Sequence, residues 1–200
     1  FDFDLTDEDK ISDFLETVEA EDPEVRWLVN NAGMGKYGSF NSVGVQTNLK
    51  IIDLNIRALT HLTQGLTPFC TRSSRILQVA STAGFFPTSG FSLYAATKAF
   101  VVHLTEALAV EYEEMGIQMT AVCPGPVETE FHERAGDEEN NVWPDFLMAT
   151  PDEIVEKSIH DAKRGRTKSV YGMLFHFGVA VSGLLPSSLS ARVSQDMLEA

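Results

Sequence analysis

Apolar residues recur along the chain in two rhythms. Short β-rich runs alternate with longer stretches spaced by three and four, the pattern of a parallel α/β sheet. Phe1–Leu5 reads as the end of a strand. Thr6 is expected to cap a helix, with Asp9 three residues on and Asp7 and Glu8 in the first turn, where the helix dipole favours negative charge. Ile11, Phe14, Leu15 and Val18 supply its apolar face. Arg26–Asn30 predicts the next strand, closing on Asn30-Asn31-Ala32-Gly33 and a glycine-studded loop. A helix over Val45–Phe69 follows, with Ile51, Ile52, Leu54, Leu59, Leu62 and Leu66 on helical spacing.

Arg75–Ala80 predicts a strand whose end delivers Ser81, and Phe91–Met115 a helix that Gly116 stops. Ile117–Cys123 reads as a strand ended by Pro124-Gly125-Pro126. Residues 128–149 are polar and irregular, the length of a substrate lid. Thr150 caps a further helix, with Pro151 in its first position, Glu153 completing a capping box and Lys163-Arg164-Gly165 closing it. Ser169–Tyr171 is a last short strand, and residues 166–200 form a partly apolar extension. No internal repeat or low-complexity segment interrupts this order, so residues 1–200 read as one domain.

Composition narrows the partners. Hydrophobic residues are 44% and charged residues 22%, as in a globular domain. A net charge of -14, with eleven of the 29 acidic residues before Val25, repels phosphate backbones and anionic lipid heads. The expectation is therefore no nucleic acid and no membrane. Interleaved apolar residues make the acidic start a solvated helix face. Two cysteines, Cys70 and Cys123, without pairing or metal-like spacing fit a reducing cytoplasm. The run Val170–Leu185 carries His176 and three glycines, too interrupted to span a bilayer. The five histidines share no ligand spacing, so no metal site is expected.

Tyr94 and Lys98 stand four apart on a helix and project from one face. An ammonium close to a phenol favours the phenolate, bringing its pKa from about 10 toward neutrality. Such a pair can move a proton to or from an alcohol, although the spacing also occurs on ordinary surface helices. Ser81 ends a strand at the ligand-facing edge of a parallel sheet. Its hydroxyl can hold a carbonyl oxygen, or simply open a turn before Gly84. Phe85, Phe86, Phe91, Phe131, Trp143 and Phe146 fall on the expected substrate side, pointing to a partly apolar substrate.

Asn30-Asn31-Ala32-Gly33, Asn55 in Asp53-Leu54-Asn55, Ser81, Tyr94-Ala95-Ala96-Thr97-Lys98 and Pro124-Gly125-Pro126-Val127-Glu128-Thr129 follow in order. In this the chain resembles the single-domain short-chain dehydrogenase/reductase family from Phe1 to about Thr129. The resemblance implies a Rossmann-like, doubly wound parallel sheet in three α/β/α layers. It also implies an NADP- or NAD-dependent oxidoreductase that interconverts a carbonyl and a secondary alcohol. Tyr94 would be the general acid/base, and Lys98 would lower its pKa and hold the nicotinamide ribose. Ser81 would orient the substrate, and Asn55 would position a water. Asn31, Ala32, Gly33, Pro124, Gly125, Val127 and Thr129 would line the cofactor, with Asp4 and Leu5 at its adenine.

The family's glycine-rich opening, two strand–helix units, is not in the sequence. The expectation is that roughly 60 further residues precede Phe1 in the natural protein. Two other readings stand beside the oxidoreductase: an isomerase or lyase of the extended branch, and a truncated, non-catalytic binding module. The apolar helices over Val45–Phe69 and Phe91–Met115, commonly used for assembly in the family, imply a homodimer or homotetramer.

Overall fold

The apolar runs pair as four parallel strands in a computed structural model of the chain, which describes residues 1–136, 144, 147–184, 188, 189, 191, 192 and 195. The strands are β1 (Val25–Asn30), β2 (Cys70–Val79), β3 (Gln118–Cys123) and β4 (Lys168–Val170), in the order β1-β2-β3-β4. Register aligns their C-terminal ends: Asn30 lies opposite Gln78, Val79 opposite Val122, and Cys123 opposite Val170. The residues that leave the strands, Asn31, Ser81 and Pro124, therefore emerge along one edge, where open parallel sheets bind ligands.

Burial explains the order. Every β3 residue after Gln118 is buried, as a strand covered on both faces must be. β1 pairs with β2 alone among the described residues, and Trp27 and Val29 on it are exposed. The expected strand at Phe1–Leu5 is not formed; a strand needs a neighbour for its backbone groups. Instead Phe1 packs its ring edge-on to Phe14, at 5.0 Å.

A closed polar cluster pins β1 to β2. The Asn30 amide donates to Gln78 Oε1 at 2.8 Å and to Thr63 Oγ1 at 3.0 Å, and Gln78 Nε2 donates to Thr63 Oγ1 at 2.8 Å. All three residues are buried, so slipping the register would strand them without partners.

Helix α1 (Glu8–Glu21) is capped by Asp7, not Thr6. The Thr6 hydroxyl and N–H both bond Asp4 Oδ1 at 2.9 Å, while Asp7 accepts from the Asp9 and Lys10 amides. The long second helix divides into α2 (Val45–Ile52), a π turn at Asp53–Ala58 and α3 (Leu59–Leu66). A 3-10 turn, Thr67–Phe69, carries Pro68 into β2. Helix α4 spans Ser92–Glu111, α5 Phe131–Ala135, α6 Pro151–Lys163 and α7 Met173–Val181.

Leu59 of α3 and Val101 and Val102 of α4 bury one face of the sheet against Ala121 and Cys123. Ala162 of α6 covers the other against Leu77 and Val122. The result is the three-layer α/β/α arrangement expected. By length and composition α4 could cross a membrane, but its apolar face packs on β3 and carries Tyr94 and Lys98 inward. The Thr150–Glu153 capping box forms as expected at the start of α6. On α7, Met173, Leu174 and Phe177 are exposed, while Phe175 turns in against Gly125.

Candidate active site

Ser81 follows β2 in extended backbone and opens a 3-10 turn over Thr82–Phe85, its Oγ accepting from the Ala83 amide at 3.1 Å. The sequence left open whether this serine opens a turn or faces a ligand. It opens the turn, and it also lowers the pKa of the Tyr94 phenol. The Thr82 amide donates to Pro124 O at 2.9 Å, joining the exits of β2 and β3. Gly84 then lies on α4: a Cβ there would come within 2.8 Å of the Lys98 carbonyl. Only glycine lets this turn reach the helix that carries the tyrosine and lysine.

Tyr94 and Lys98 are both buried, 8% and 3% exposed. Lys98 Nζ lies 5.6 Å from the Tyr94 ring centroid and donates to Val79 O at 2.7 Å. Burial pushes the Tyr94 phenol well above its ordinary value; Ser81 pulls it down, and nearby Tyr37 adds to the rise. The lowering expected from a neighbouring ammonium is not what this arrangement produces. Burial also brings Lys98 down to about 8, so its charge is itself weakly held. Behind the pair, burial raises the Cys123 thiol to about 12, leaving a protonated core residue.

Asn55 sits on the π turn, a helix irregularity that recurs at functional sites. It is buried and reads the Met34 backbone with both ends of its amide: Oδ1 accepts from Met34 N–H and Nδ2 donates to Met34 O, each at 2.9 Å. This holds the loop after Asn31-Ala32-Gly33. A Cβ on Gly33 would lie 3.1 Å from Lys98 Nζ, so the glycine permits close approach of loop and lysine.

These elements surround one cleft of about 1020 Å³. Asn31, Ala32, Gly33, Ser81, Tyr94, Lys98, Pro124, Gly125, Val127 and Thr129 all line it. Asn55 stands behind the wall rather than in it. Asp4 and Leu5 are not among the lining residues; the Asp4 carboxylate is occupied by the Thr6 amide and hydroxyl, which hold it below the usual range.

Of the aromatic residues anticipated, Phe86, Phe91 and Phe131 reach the cleft, while Phe85 packs in the core with Lys168 over its ring. Trp143 and Phe146 lie outside the described residues. Tyr37, His132 and Phe175 also line the cleft without having shown a local signal. Tyr37 stacks on Phe91 at 4.1 Å, Phe91 on Tyr94 at 4.4 Å, and Phe131 tilts against Tyr94 at 5.3 Å. The Tyr94 ring is thus clamped between Phe91 and Phe131. The first part of the expected lid forms α5, whose Ala135 carbonyl accepts from the Tyr37 amide at 2.9 Å.

The chain is similar to oxidoreductase UcpA of Escherichia coli, 31% identical over 148 residues that cover 72% of this chain and 56% of the relative. It is also similar to dehydrogenase OXI1 of Cochliobolus heterostrophus, 31% identical over 125 residues, covering 62% of this chain and 54% of the relative. It therefore spans little more than half the length of these curated relatives. Among solved structures, a short-chain dehydrogenase from Sphingobium yanoikuyae in complex with NADPH superposes with a TM-score of 0.75 at 30% identity, covering 90% of this chain and 72% of the other. A bulky-bulky ketone specific alcohol dehydrogenase from Comamonas testosteroni gives 0.73 at 27% identity, covering 92% and 71%. The family model for short chain dehydrogenases matches residues 1–140, and with the fold and cleft already described it places this chain in the short-chain dehydrogenase family.

Proposed function

We propose that the protein is an NAD(P)-dependent oxidoreductase that interconverts a carbonyl and a secondary alcohol in the Ser81–Tyr94–Lys98 cleft. One observation carries this reading. Ser81 and the buried Tyr94 line one cleft together, and its other wall is a glycine loop in contact range of Lys98. The nicotinamide cofactor, when bound, supplies or accepts the hydride.

The chain's own residues do the rest. Ser81 holds the substrate oxygen, and Tyr94 exchanges the proton with it. A phenol kept protonated by burial is the proton donor in carbonyl reduction and takes the proton back in the reverse direction. Lys98 would hold the ribose hydroxyls, with Gly33 leaving room beside it. Asn31, Ala32, Pro124, Gly125, Val127 and Thr129 would line the cofactor, Asn55 would place a water, and Asp4 and Leu5 would meet the adenine. Phe86, Phe91, Phe131, Ile154 and Val155 give the remaining wall an apolar character suited to a bulky carbonyl compound. The NADPH of the Sphingobium structure and the bulky ketones named for the Comamonas enzyme support both assignments. Exposed Phe100 and Val110 on α4 support a homodimer or homotetramer, which light scattering would distinguish from a monomer.

The test is titration of the full-length protein with NADPH and NADH, followed by a panel of bulky aryl and alkyl ketones. Saturable binding of one cofactor and ketone-dependent oxidation of it are expected. Binding of neither cofactor by the folded protein would reject the reading.

A further inference from the structure

We infer that Thr97 is a positioning residue for this reaction: its hydroxyl locks the Asn55 amide, and through it the Gly33–Met34 backbone, against the turn of α4 that presents Tyr94 and Lys98. The inference rests on the oxidoreductase reading and adds a residue to it.

Thr97 and Asn55 are each 1% exposed. Thr97 Oγ1 donates to Tyr94 O at 2.8 Å and accepts from Asn55 Nδ2 at 2.9 Å. A hydroxyl can donate and accept at once; neither a methyl nor a thioether can do both. The orientation of the Asn55 amide is fixed by the backbone it reads, since Met34 N–H requires an oxygen and Met34 O requires an N–H. Its second N–H is then aimed at Thr97.

The contacts close into a ring. Thr97 joins the Tyr94 carbonyl to Asn55, Asn55 joins the π turn to Met34, and Gly33 beside Met34 returns to within contact range of Lys98 Nζ. Remove the hydroxyl and one buried N–H of Asn55 loses its acceptor, so the amide must shift to find another. That shift moves the Gly33–Met34 backbone relative to Lys98. Thr97 therefore acts through its neighbours, without lining the cleft itself.

Thr97→Val keeps the shape and removes the hydroxyl; Thr97→Ser keeps the hydroxyl and removes the methyl. In the full-length protein, with NADPH and a ketone that the wild type reduces, the valine variant is expected to lose about 10- to 100-fold in kcat through misplaced reacting groups. The midpoint of its kcat–pH profile should move as well. By NMR the Asn55 side-chain amide protons should exchange faster with solvent. The serine variant should match wild type in all three. A valine variant with wild-type kcat and pH midpoint would overturn the inference, as would a serine variant impaired equally with valine. Should the valine variant not fold, Thr97→Ala compared with Thr97→Ser isolates the same oxygen, and equal kcat and pH midpoints in that pair would overturn it. Absence of any cofactor-dependent turnover in the wild type would instead defeat the oxidoreductase reading. The amide exchange would still decide the hydroxyl's role, unchanged exchange in Thr97→Val overturning it.

Discussion

Lys98 Nζ donates to the carbonyl oxygen of Val79 at 2.7 Å, tying the middle of α4 to the exit of β2. The ammonium is anchored to backbone rather than aimed at the phenol it would activate. It is also almost fully enclosed, and burial brings it down to about 8 from an ordinary value near 10.5. Between those two values the unfolded chain holds a proton that the folded chain has released, so stability rises with pH across that window. Below about 8 both states are protonated, and the folded state bears the whole cost of a buried charge.

Replacing Lys98 with Met should therefore stabilise the cofactor-free protein at neutral pH by about 2 kcal/mol, after allowing for the lost hydrogen bond. It should also abolish the rise in stability between pH 8 and 10.5. Urea unfolding at several pH values checks both. The variant should bind nicotinamide cofactor poorly, trading function for stability.

Gly84 leads to a second expectation. A Cβ at this position would stand 2.8 Å from the carbonyl carbon and oxygen of Lys98 and 2.9 Å from the Ala99 nitrogen. These are backbone atoms in the middle of a helix and cannot turn aside. Gly84→Ala should cost about 1–3 kcal/mol by overpacking, read as a lower thermal midpoint. Because the Gly84 amide bonds Ser81 O at 3.1 Å, the displaced turn should carry Ser81 away from Tyr94 and lower kcat further.

How much of this was legible beforehand depended on distance along the chain. The capping box of α6 and the pairing of Tyr94 with Lys98 on one helix face are local, and three- and four-residue spacing reveals them. The Phe1–Leu5 strand was misread because strand formation needs a neighbour, which local alternation does not report. Thr6 and Asp7 are both good caps; the choice fell to Asp7 only because Asp4 captures the Thr6 hydroxyl and amide. Tyr37 and Phe175 come to the cleft from far along the chain, and their roles appear only once Phe91 and Gly125 are placed beside them. The lysine–carbonyl bond was equally hidden, since it joins residues 19 apart on different elements.

Asp161 gives a stability prediction away from the cleft. It is buried at the end of α6, with Lys157 Nζ and Ser169 Oγ each 2.8 Å from Oδ2, and Arg166 Nη1 3.3 Å from Oδ1. Burial alone would raise its carboxyl; the bonds from Lys157 and Ser169 and the two positive charges outweigh that and hold it below the usual range. Its contribution is present above the unfolded pKa and is lost as pH falls through the lower folded value. Asp161→Asn should remove about 1–3 kcal/mol at neutral pH, because Lys157 and Arg166 can still reach water. It should also flatten the acid limb of a stability–pH curve. An unchanged curve would show that the clasp between α6 and β4 carries no such load.

Tyr94→Phe tests the central claim most directly. The phenylalanine keeps the ring between Phe91 and Phe131 and removes only the hydroxyl. Single-turnover reduction of a ketone by the full-length protein with bound NADPH should slow by about 10²- to 10⁴-fold in the variant. NADPH affinity should stay within about threefold of wild type, since the lost proton serves the reaction rather than binding. Wild-type turnover in Tyr94→Phe would contradict the account, because the proton would then come from elsewhere.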